Sequence, residues 1–300
     1  MNMKNMDRRS LLNASAALLA SGATLGSRAG AQTPATANEK PLLKTQTKFA
    51  ANLEMWWGDR PFHERITAAH AVGFDAFEFW PWRGKDLDAI AGAMKQTGMT
   101  CTQFTGWGFS PGMNDAKNHD RLEQEIRDSC ATAKKLGVKM MCVVAGNDIA
   151  GVSQEKMHDA VIAGLKRVAP IAADNDIILV LEPMNVRVDH KGHCLYGSPN
   201  AIKIVRAVNS PHVKILWDLY HMHISEGDLC GHLREGIKDL AYVQIADHPG
   251  RMEPGTGEIH YNRVLRELHD LGYTGYVGVE CNPSKPELEA AQALALADIW

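Results

Sequence analysis

The sequence lacks several features that would place it outside the ordinary globular proteins. No run of about 18 continuous apolar residues occurs, so a membrane-spanning helix is not expected. Basic residues are not in excess, because 32 Lys and Arg stand against 35 Asp and Glu, and this balance argues against a nucleic-acid partner. With 26 Gly and 13 Pro in 300 residues, a collagen-like or low-complexity chain is excluded. We therefore expect a globular protein, and most simply an enzyme.

The six cysteines show neither the spacing of a zinc site nor that of a redox motif. They are spread from Cys101 to Cys281 and form no C-x-x-C pair. Several lie in apolar runs, where cysteine behaves as a small hydrophobic residue. We expect mostly free, buried thiols.

The N-terminal segment has the pattern of an export signal. Lys4, Arg8 and Arg9 precede a modest apolar run over 14–25, and Ala-Gly-Ala at 29–31 matches the small-residue pattern that a signal peptidase cleaves. The Arg8-Arg9 pair followed by Ser-Leu-Leu is typical of a twin-arginine signal. The alternative is a disordered or amphipathic N-terminal extension.

This pattern sets the predicted domain organisation. Residues 1–31 form the signal, residues 32–47 form a flexible tether, and residues 48–300 form one catalytic domain. The protein is then expected to engage the twin-arginine export machinery, to be periplasmic or secreted, and to keep no stable membrane anchor after cleavage.

Eight short apolar runs alternate with segments of helical periodicity after residue 48. The runs are continuously apolar, as parallel strands covered on both faces are. They cover residues 49–55, 76–80, 100–104, 139–145, 177–182, 213–218, 242–246 and 276–280. Eight βα units in about 250 residues predict a (β/α)8 TIM barrel, an α/β fold. The alternative, an open doubly wound sheet, would need a glycine-rich turn after the first strand, where the chain instead has Glu-Met-Trp-Trp.

Oxygen-bearing side chains lie at the carboxyl ends of four consecutive predicted strands. Glu182, Asp218 and Glu280 end strands 5, 6 and 8, and Gln244 lies in strand 7. Active sites of such barrels lie at this face. Three carboxylates that face one axis repel one another, and a hard divalent cation such as Mg2+ or Mn2+ would relieve that repulsion. A zinc site would show more His or Cys donors. The alternative for any single acid is a helix cap or an ion-pair partner.

Further candidates lie one step beyond these strand ends. Arg251 follows strand 7, where its guanidinium could bind a carboxylate or enediolate oxygen, and His221 could donate to a substrate hydroxyl. The alternatives are a loop-stabilising arginine and a structural histidine. Trp107 is one of four tryptophans at the ends of strands 1–3 that could wall a sugar-like substrate, or else pack beneath the loops; the others are Trp56, Trp57 and Trp80.

Several motifs resemble those of the hydroxypyruvate isomerase family of xylose-isomerase-like barrels. They are EPMN at 182–185, DLYHM at 218–222, EGD at 226–228, QIADHPGR at 244–251 and EPGTGEI at 253–259. The resemblance implies that Glu182, Asp218, Gln244 and Glu280 bind the metal. It also implies that Glu182 and Glu280 transfer protons, with His221 and Arg251 as substrate contacts. We add Asn185, Trp107 and the strand-2 residue Glu78 as predicted substrate-binding residues.

The predicted activity is a metal-dependent isomerisation by enediol proton transfer, from hydroxypyruvate to tartronate semialdehyde or on a related 2-oxo acid. Two alternatives stay open, a ketose 3-epimerase and a non-catalytic periplasmic sugar-binding barrel. The expected partner is a small keto acid or sugar, and homo-oligomerisation is left open. The sequence departs from the family pattern at two places, FEFWPWR at 77–83 and Cys281-Asn282 before Pro283.

Overall fold

The computed structural model describes residues 43–300 of the chain. The predicted signal with Arg8 and Arg9, and residues 32–42 of the predicted tether, lie outside the described residues. The tether's last two residues, Gln46 and Thr47, donate backbone hydrogen bonds to the Asp298 carboxylate. The start of the described chain is thereby fixed to its C-terminal end.

Eight parallel strands close into a barrel in which each strand pairs with its neighbours in sequence, and β8 pairs with β1. The strands are β1 Lys48–Asn52, β2 Ala76–Pro81, β3 Thr100–Trp107, β4 Met140–Val144, β5 Ile178–Glu182, β6 Val213–Asp218, β7 Leu240–Ile245 and β8 Tyr276–Val279. Most of their residues are buried, which accounts for the continuously apolar runs in the sequence. The predicted (β/α)8 barrel is confirmed.

Helices connect successive strands across the outside of the barrel. In residues 43–300 they are α1 Phe62–Val72, α2 Leu87–Thr97, α3 His119–Leu136, α4 Gln154–Asp174, α5 Ser198–Val208, α6 Leu219–Ser225, α7 Leu229–Gly236, α8 Tyr261–Asp270 and α9 Glu287–Ala297. In this part of the chain, none of them combines the length and the apolar character that crossing a bilayer requires. In α3 the buried stripe includes Leu122, Ile126, Cys130 and Ala133, at helical spacing.

The first strand is shorter than its apolar run. The prediction extends it to residue 55, but it ends at Asn52, because the backbone carbonyl of Asn52 accepts hydrogen bonds from the N–H groups of Met55 and Trp56 and closes a turn. The third strand is longer than predicted and continues to Trp107. Since all strands run in parallel, their carboxyl ends share one mouth, where the predicted site residues lie.

Candidate active site

Four polar side chains converge at the barrel mouth. Glu182 is the last residue of β5, Asp218 is the last residue of β6, and Glu280 directly follows β8. His221 lies in the first turn of α6. Each of the four offers one ligand atom, and these atoms lie within 4.8 Å of one another. All four residues are buried, so their charges meet in a region with little water.

Glu280 is held at both carboxylate oxygens. Arg251 Nη2 donates to Oε2 at 2.6 Å, and the indole Nε1 of Trp80 donates to Oε1 at 2.7 Å. Both bonds join a charged acceptor to a fixed planar donor, the kind of hydrogen bond that is strong and directional. The carboxylate orientation is therefore set by residues from β2 and from the loop after β7.

The two carboxylate oxygens of Asp218 have different partners: one caps a helix and the other faces the cluster. Oδ1 accepts the backbone N–H of Tyr220 at 2.8 Å and caps the N-terminus of α6. Oδ2 lies 3.4 Å from Arg251 Nη2 and 3.5 Å from His221 Nε2. The helix-cap alternative from the sequence thus describes one oxygen, and the other belongs to the cluster.

The protonation of His221 is set by Asn185. The Asn185 Oδ1 accepts the backbone N–H groups of Val188 and Asp189, so its amide nitrogen must be the atom 2.7 Å from His221 Nδ1. Nδ1 is therefore an acceptor, and the ring proton lies on Nε2, which is 3.8 Å from Glu182 Oε1. His221 acts here as a neutral donor towards the carboxylates.

Gln244, which pairs in register with Asp218 across β6 and β7, has an unpaired acceptor. Its Nε2 donates to Glu78 Oε1 at 2.8 Å, whereas its Oε1 is buried without a hydrogen-bond partner. A buried carbonyl oxygen without a donor is costly, and a bound cation is one way to satisfy it.

Burial is the main cause of the shifted acidities. It raises the pKa of Asp218 to about 8 and the pKa of Glu182 well above its usual value, and the charge of Glu280 raises both further. The pKa of Glu78 rises to about 7, first from burial and then from Glu280. Burial, then the charge of Arg251, lowers the pKa of His221 well below its usual value. The site therefore keeps a neutral imidazole beside carboxyl groups that can carry a proton near neutral pH.

These residues fit a divalent metal ion. Three carboxylates stand against one guanidinium, so the site has uncompensated negative charge when the acids are ionised. The free amide oxygen of Gln244, which pairs in register with Asp218 across β6 and β7, would add a fourth oxygen donor. Carboxylate and amide oxygens are the donors that Mg2+ and Mn2+ prefer. The buried cluster can hold a metal ion.

A cavity of about 380 Å3 opens above the cluster. Its polar wall includes Glu182, Glu280, His221 and Arg251. Its apolar wall includes Trp80, Phe109, Val144 and Met184, with His190 beside them. Such a mixture of apolar wall and a few convergent polar groups is typical of a small-molecule site.

The buried carboxylate of Asp247 holds the loop that carries Arg251. Asp247 accepts the backbone N–H groups of His248 and Ile259 on Oδ1, at 2.9 and 3.0 Å, and that of Gly255 on Oδ2, at 2.8 Å. Arg251 itself has φ 54°, and its carbonyl accepts the backbone N–H of Asn282 at 2.9 Å. The arginine is thus presented by a rigid loop.

Comparison with known proteins identifies the family. A model described as "Xylose isomerase-like TIM barrel" matches residues 66–298. The chain belongs to that family. It is 31% identical over 242 residues to the hydroxypyruvate isomerase of Escherichia coli, covering 79% of this chain and 93% of that protein. It is 29% identical over 243 residues to the 2-oxo-tetronate isomerase of Cupriavidus necator, covering 79% and 93% respectively.

A solved structure agrees with this assignment. The chain matches the crystal structure of a family 2 AP endonuclease from Brucella melitensis with a TM-score of 0.77 and 28% identity, over 83% of this chain and 97% of that one. The predicted resemblance to the hydroxypyruvate isomerases is confirmed, and so is the prediction that the protein is an isomerase.

Not every residue that the sequence singles out reaches the cavity. Glu78 is fully buried beneath the cluster, bonded to Gln244, and Asn185 contacts His221. Neither lines the cavity. Trp107 is buried and lines an adjoining cavity with Arg83 and Arg121.

Trp80 is the tryptophan that enters the wall, and the sequence marks it only as one of four. Trp56 and Trp57 pack in the core. The sequence reasoning missed Phe109 and His190, whose rings stack with centroids 5.0 Å apart. Both lie in loops, and no local pattern distinguishes them there.

Proposed function

We propose that the protein is a divalent-metal-dependent keto-acid isomerase that moves a carbonyl group by one carbon through an enediol. The observation that carries the proposal is the buried cluster of Glu182, Asp218, His221 and Glu280, whose ligand atoms lie within 4.8 Å of one another beside a cavity that Glu182, His221 and Glu280 line. The relatives named hydroxypyruvate isomerase and 2-oxo-tetronate isomerase support a 2-oxo acid as the substrate.

Glu182, Asp218, Gln244 and Glu280 would hold the ion, Mg2+ or Mn2+. When bound, the ion supplies positive charge that stabilises the developing enediolate oxygens. These four ligands do not use the N–H donors of Arg251 and His221, which remain for the substrate. Arg251 lines the cavity while its Nη2 holds Glu280, so the rest of its guanidinium can serve a substrate carboxylate in this proposal.

Two glutamates divide the proton transfer in this proposal. Glu280 accepts the proton on the hydroxyl-bearing carbon, and the C–H electron pair becomes the double bond of the enediol. Glu182 returns a proton to the former carbonyl carbon, and before the next turnover Glu280 releases its proton to solvent while Glu182 regains one from solvent. The hydroxyl proton moves to the other oxygen, so that atoms and electrons balance. Such positioned acids and bases contribute roughly 100- to 10,000-fold to a rate.

His221 and the apolar wall complete the assignment. The Nε2–H of His221 faces the carboxylates, where it can donate to an oxygen of the substrate. Trp80, Phe109 and Met184 exclude water from one side of the cavity. Exclusion of water strengthens each electrostatic contact with the enediolate and limits side reactions.

The test is product analysis on a small panel. The purified protein is loaded with Mn2+ or Mg2+ and given hydroxypyruvate, 2-oxo-tetronate and several ketoses, and the products are followed by NMR. We expect the carbonyl to migrate in a 2-oxo acid. Binding without conversion of any compound would contradict the proposal and favour the sugar-binding alternative.

A ketose 3-epimerase is the second candidate, and the size of the cavity favours it. A volume of 380 Å3 corresponds to about a dozen water molecules, which is more than a three-carbon acid fills. The same panel separates the two reactions, since an epimerase inverts a hydroxyl-bearing carbon without moving the carbonyl.

We propose further that the protein is exported through the twin-arginine route and acts in the periplasm or outside the cell. The support is the sequence of residues 1–31, with Arg8-Arg9 before a modest apolar run. Cell fractionation tests this. Replacement of both arginines by lysine should retain the protein in the cytoplasm, and an unchanged distribution would contradict the proposal.

A further inference from the structure

Glu78 has no part in the mechanism above, yet it is the most heavily bonded carboxylate beneath the site. It lies on β2 with its side chain fully buried. Three side-chain amides donate to it: Asn52 at 2.9 Å, Gln103 at 3.1 Å and Gln244 at 2.8 Å. In its ionised form, a carboxylate surrounded by donors acts purely as an acceptor.

The neighbouring strands are built to admit this carboxylate. Asn52 pairs with Glu78 across β1 and β2, and Gln244 pairs with Gly278 across β7 and β8. A Cβ atom at position 278 would lie 2.4 Å from Glu78 Oε2. The space is available because residue 278 has no side chain.

The contact with Gln244 fixes which end of its amide is free. An amide has one donor end and one acceptor end. Because Nε2 is engaged by Glu78, the unpaired group of Gln244 must be the oxygen, and Oε1 is indeed buried without a partner. A neutral amide at position 78 could instead offer its own N–H group and allow Gln244 to turn round.

We propose that Glu78 is a positioning residue, which locks the Gln244 amide with its oxygen free to bind the divalent ion. This proposal rests on the metal-dependent function proposed above. Residues that orient metal ligands typically change metal affinity by about 10- to 100-fold when they are replaced. Glu78 would thus act through Gln244 without touching the ion or the substrate.

Mn2+ affinity, measured by titration calorimetry on the full chain without substrate, tests the proposal. We expect Glu78→Gln to weaken Mn2+ binding by about 10- to 100-fold. Glu253→Gln is the matched control, since Glu253 is also a fully buried carboxylate and accepts two hydrogen bonds from Ser284, at 2.8 and 2.7 Å. The control should lower stability and leave the Mn2+ affinity within about twofold of wild type.

Two more variants separate orientation from loss of charge. Glu78→Asp keeps the charge but withdraws the carboxylate from Gln244, and it should weaken Mn2+ binding by tenfold or more. The exchange Glu78→Gln with Gln244→Glu keeps the total charge and reverses the hydrogen bond, so that an oxygen donor remains at 244. This double variant should bind Mn2+ more tightly than Glu78→Gln alone, because an oxygen donor at position 244 faces the ion again.

The outcomes distinguish this proposal from the one on which it rests. A wild-type protein that binds neither Mn2+ nor Mg2+ overturns both. A wild-type protein that binds Mn2+, together with a Glu78→Asp variant of unchanged affinity, overturns only the positioning role. If Glu78→Gln does not fold, the Mn2+ affinities of Glu78→Asp and of the exchange variant test the positioning role instead. An exchange variant that folds but does not bind Mn2+ also overturns that role.

Discussion

At the scale of single residues, the hydrogen bonds to Glu280 matter most for chemistry. One donor is the indole of Trp80, whose side chain also forms part of the cavity wall. A hydrogen bond to a charged group contributes about 1.5–3 kcal/mol. Losing one that holds a proton-transfer group in place should therefore reduce the rate by tenfold or more.

Trp80→Phe tests this contact, because it keeps an aromatic ring and deletes the N–H donor; the accompanying loss of ring volume is matched in the control. We expect kcat to fall about tenfold with little change in KM. Trp82→Phe is the matched control, since its indole donates to the neutral Ser129 hydroxyl at 2.8 Å and lies outside the cavity. Equal effects of the two substitutions would contradict the assignment.

His193 gives a prediction about stability and pH. Burial lowers its pKa from 6.5 to about 4. The folded state therefore binds fewer protons than the unfolded chain between these values, so the stability that His193 contributes is complete above pH 6.5 and is lost as the pH falls towards 4. The loss at this site is about 3 kcal/mol.

His193→Gln removes that titration. Chemical unfolding of both proteins at several pH values should show that the variant loses about 3 kcal/mol less than wild type between pH 7 and pH 4. Comparison of the two proteins cancels the other titrating groups. Parallel stability curves would show that His193 does not titrate in this way.

At the scale of elements, the loop after β7 decides where Arg251 lies. Asp247 accepts three backbone N–H groups within this loop. In Asp247→Asn, one acceptor oxygen becomes an N–H2 group that faces another N–H. We expect a stability loss of about 1–3 kcal/mol and a looser Arg251.

The kinetic consequence should fall on substrate binding. KM for an acidic substrate should rise about tenfold, because Arg251 is the proposed contact of the substrate carboxylate. Asp228→Asn is the control, since Asp228 is an exposed cap of α7 that accepts the backbone N–H of Gly231 at 3.3 Å. A variant of Asp247 with an unchanged KM would show that Arg251 does not depend on this loop.

The strands show which site residues can be predicted from the sequence. Strands covered on both faces read as apolar runs, so a carboxylate at the end of a run stands out, and closure of the barrel brings such ends together. This reasoning singled out Glu182, Asp218, Gln244 and Glu280, and the structure brings ligand atoms of Glu182, Asp218 and Glu280 within 4.8 Å of one another. It could not find the contact between Trp80 and Glu280, which are 200 residues apart. Nor could it place Glu78 beneath the site, because burial of a carboxylate among amides leaves no periodic signal.

At the scale of the whole molecule, the closed barrel encloses repelling carboxylates that come from β5, β6 and β8. A ligand that binds only the folded state stabilises it by about 2.7 kcal/mol at a concentration 100 times its Kd. For a domain of this size that corresponds to a rise in Tm of roughly 5–10 °C.

Thermal unfolding with and without Mn2+ measures this effect. We expect Mn2+ to raise the Tm of the wild-type protein but not that of Asp218→Asn. This substitution removes one charge of the cluster and keeps the helix cap to Tyr220. An equal rise in both proteins would indicate that Mn2+ binds elsewhere.

In the proposed reaction, Glu280 transfers a proton at a substrate carbon. This role can be measured as incorporation of deuterium from D2O into hydroxypyruvate, followed by NMR with Mn2+ bound. The wild-type enzyme should incorporate deuterium as the carbonyl migrates, and Glu280→Gln should show no exchange while circular dichroism reports an intact barrel. A folded Glu280→Gln protein that exchanges deuterium at the wild-type rate would contradict this role.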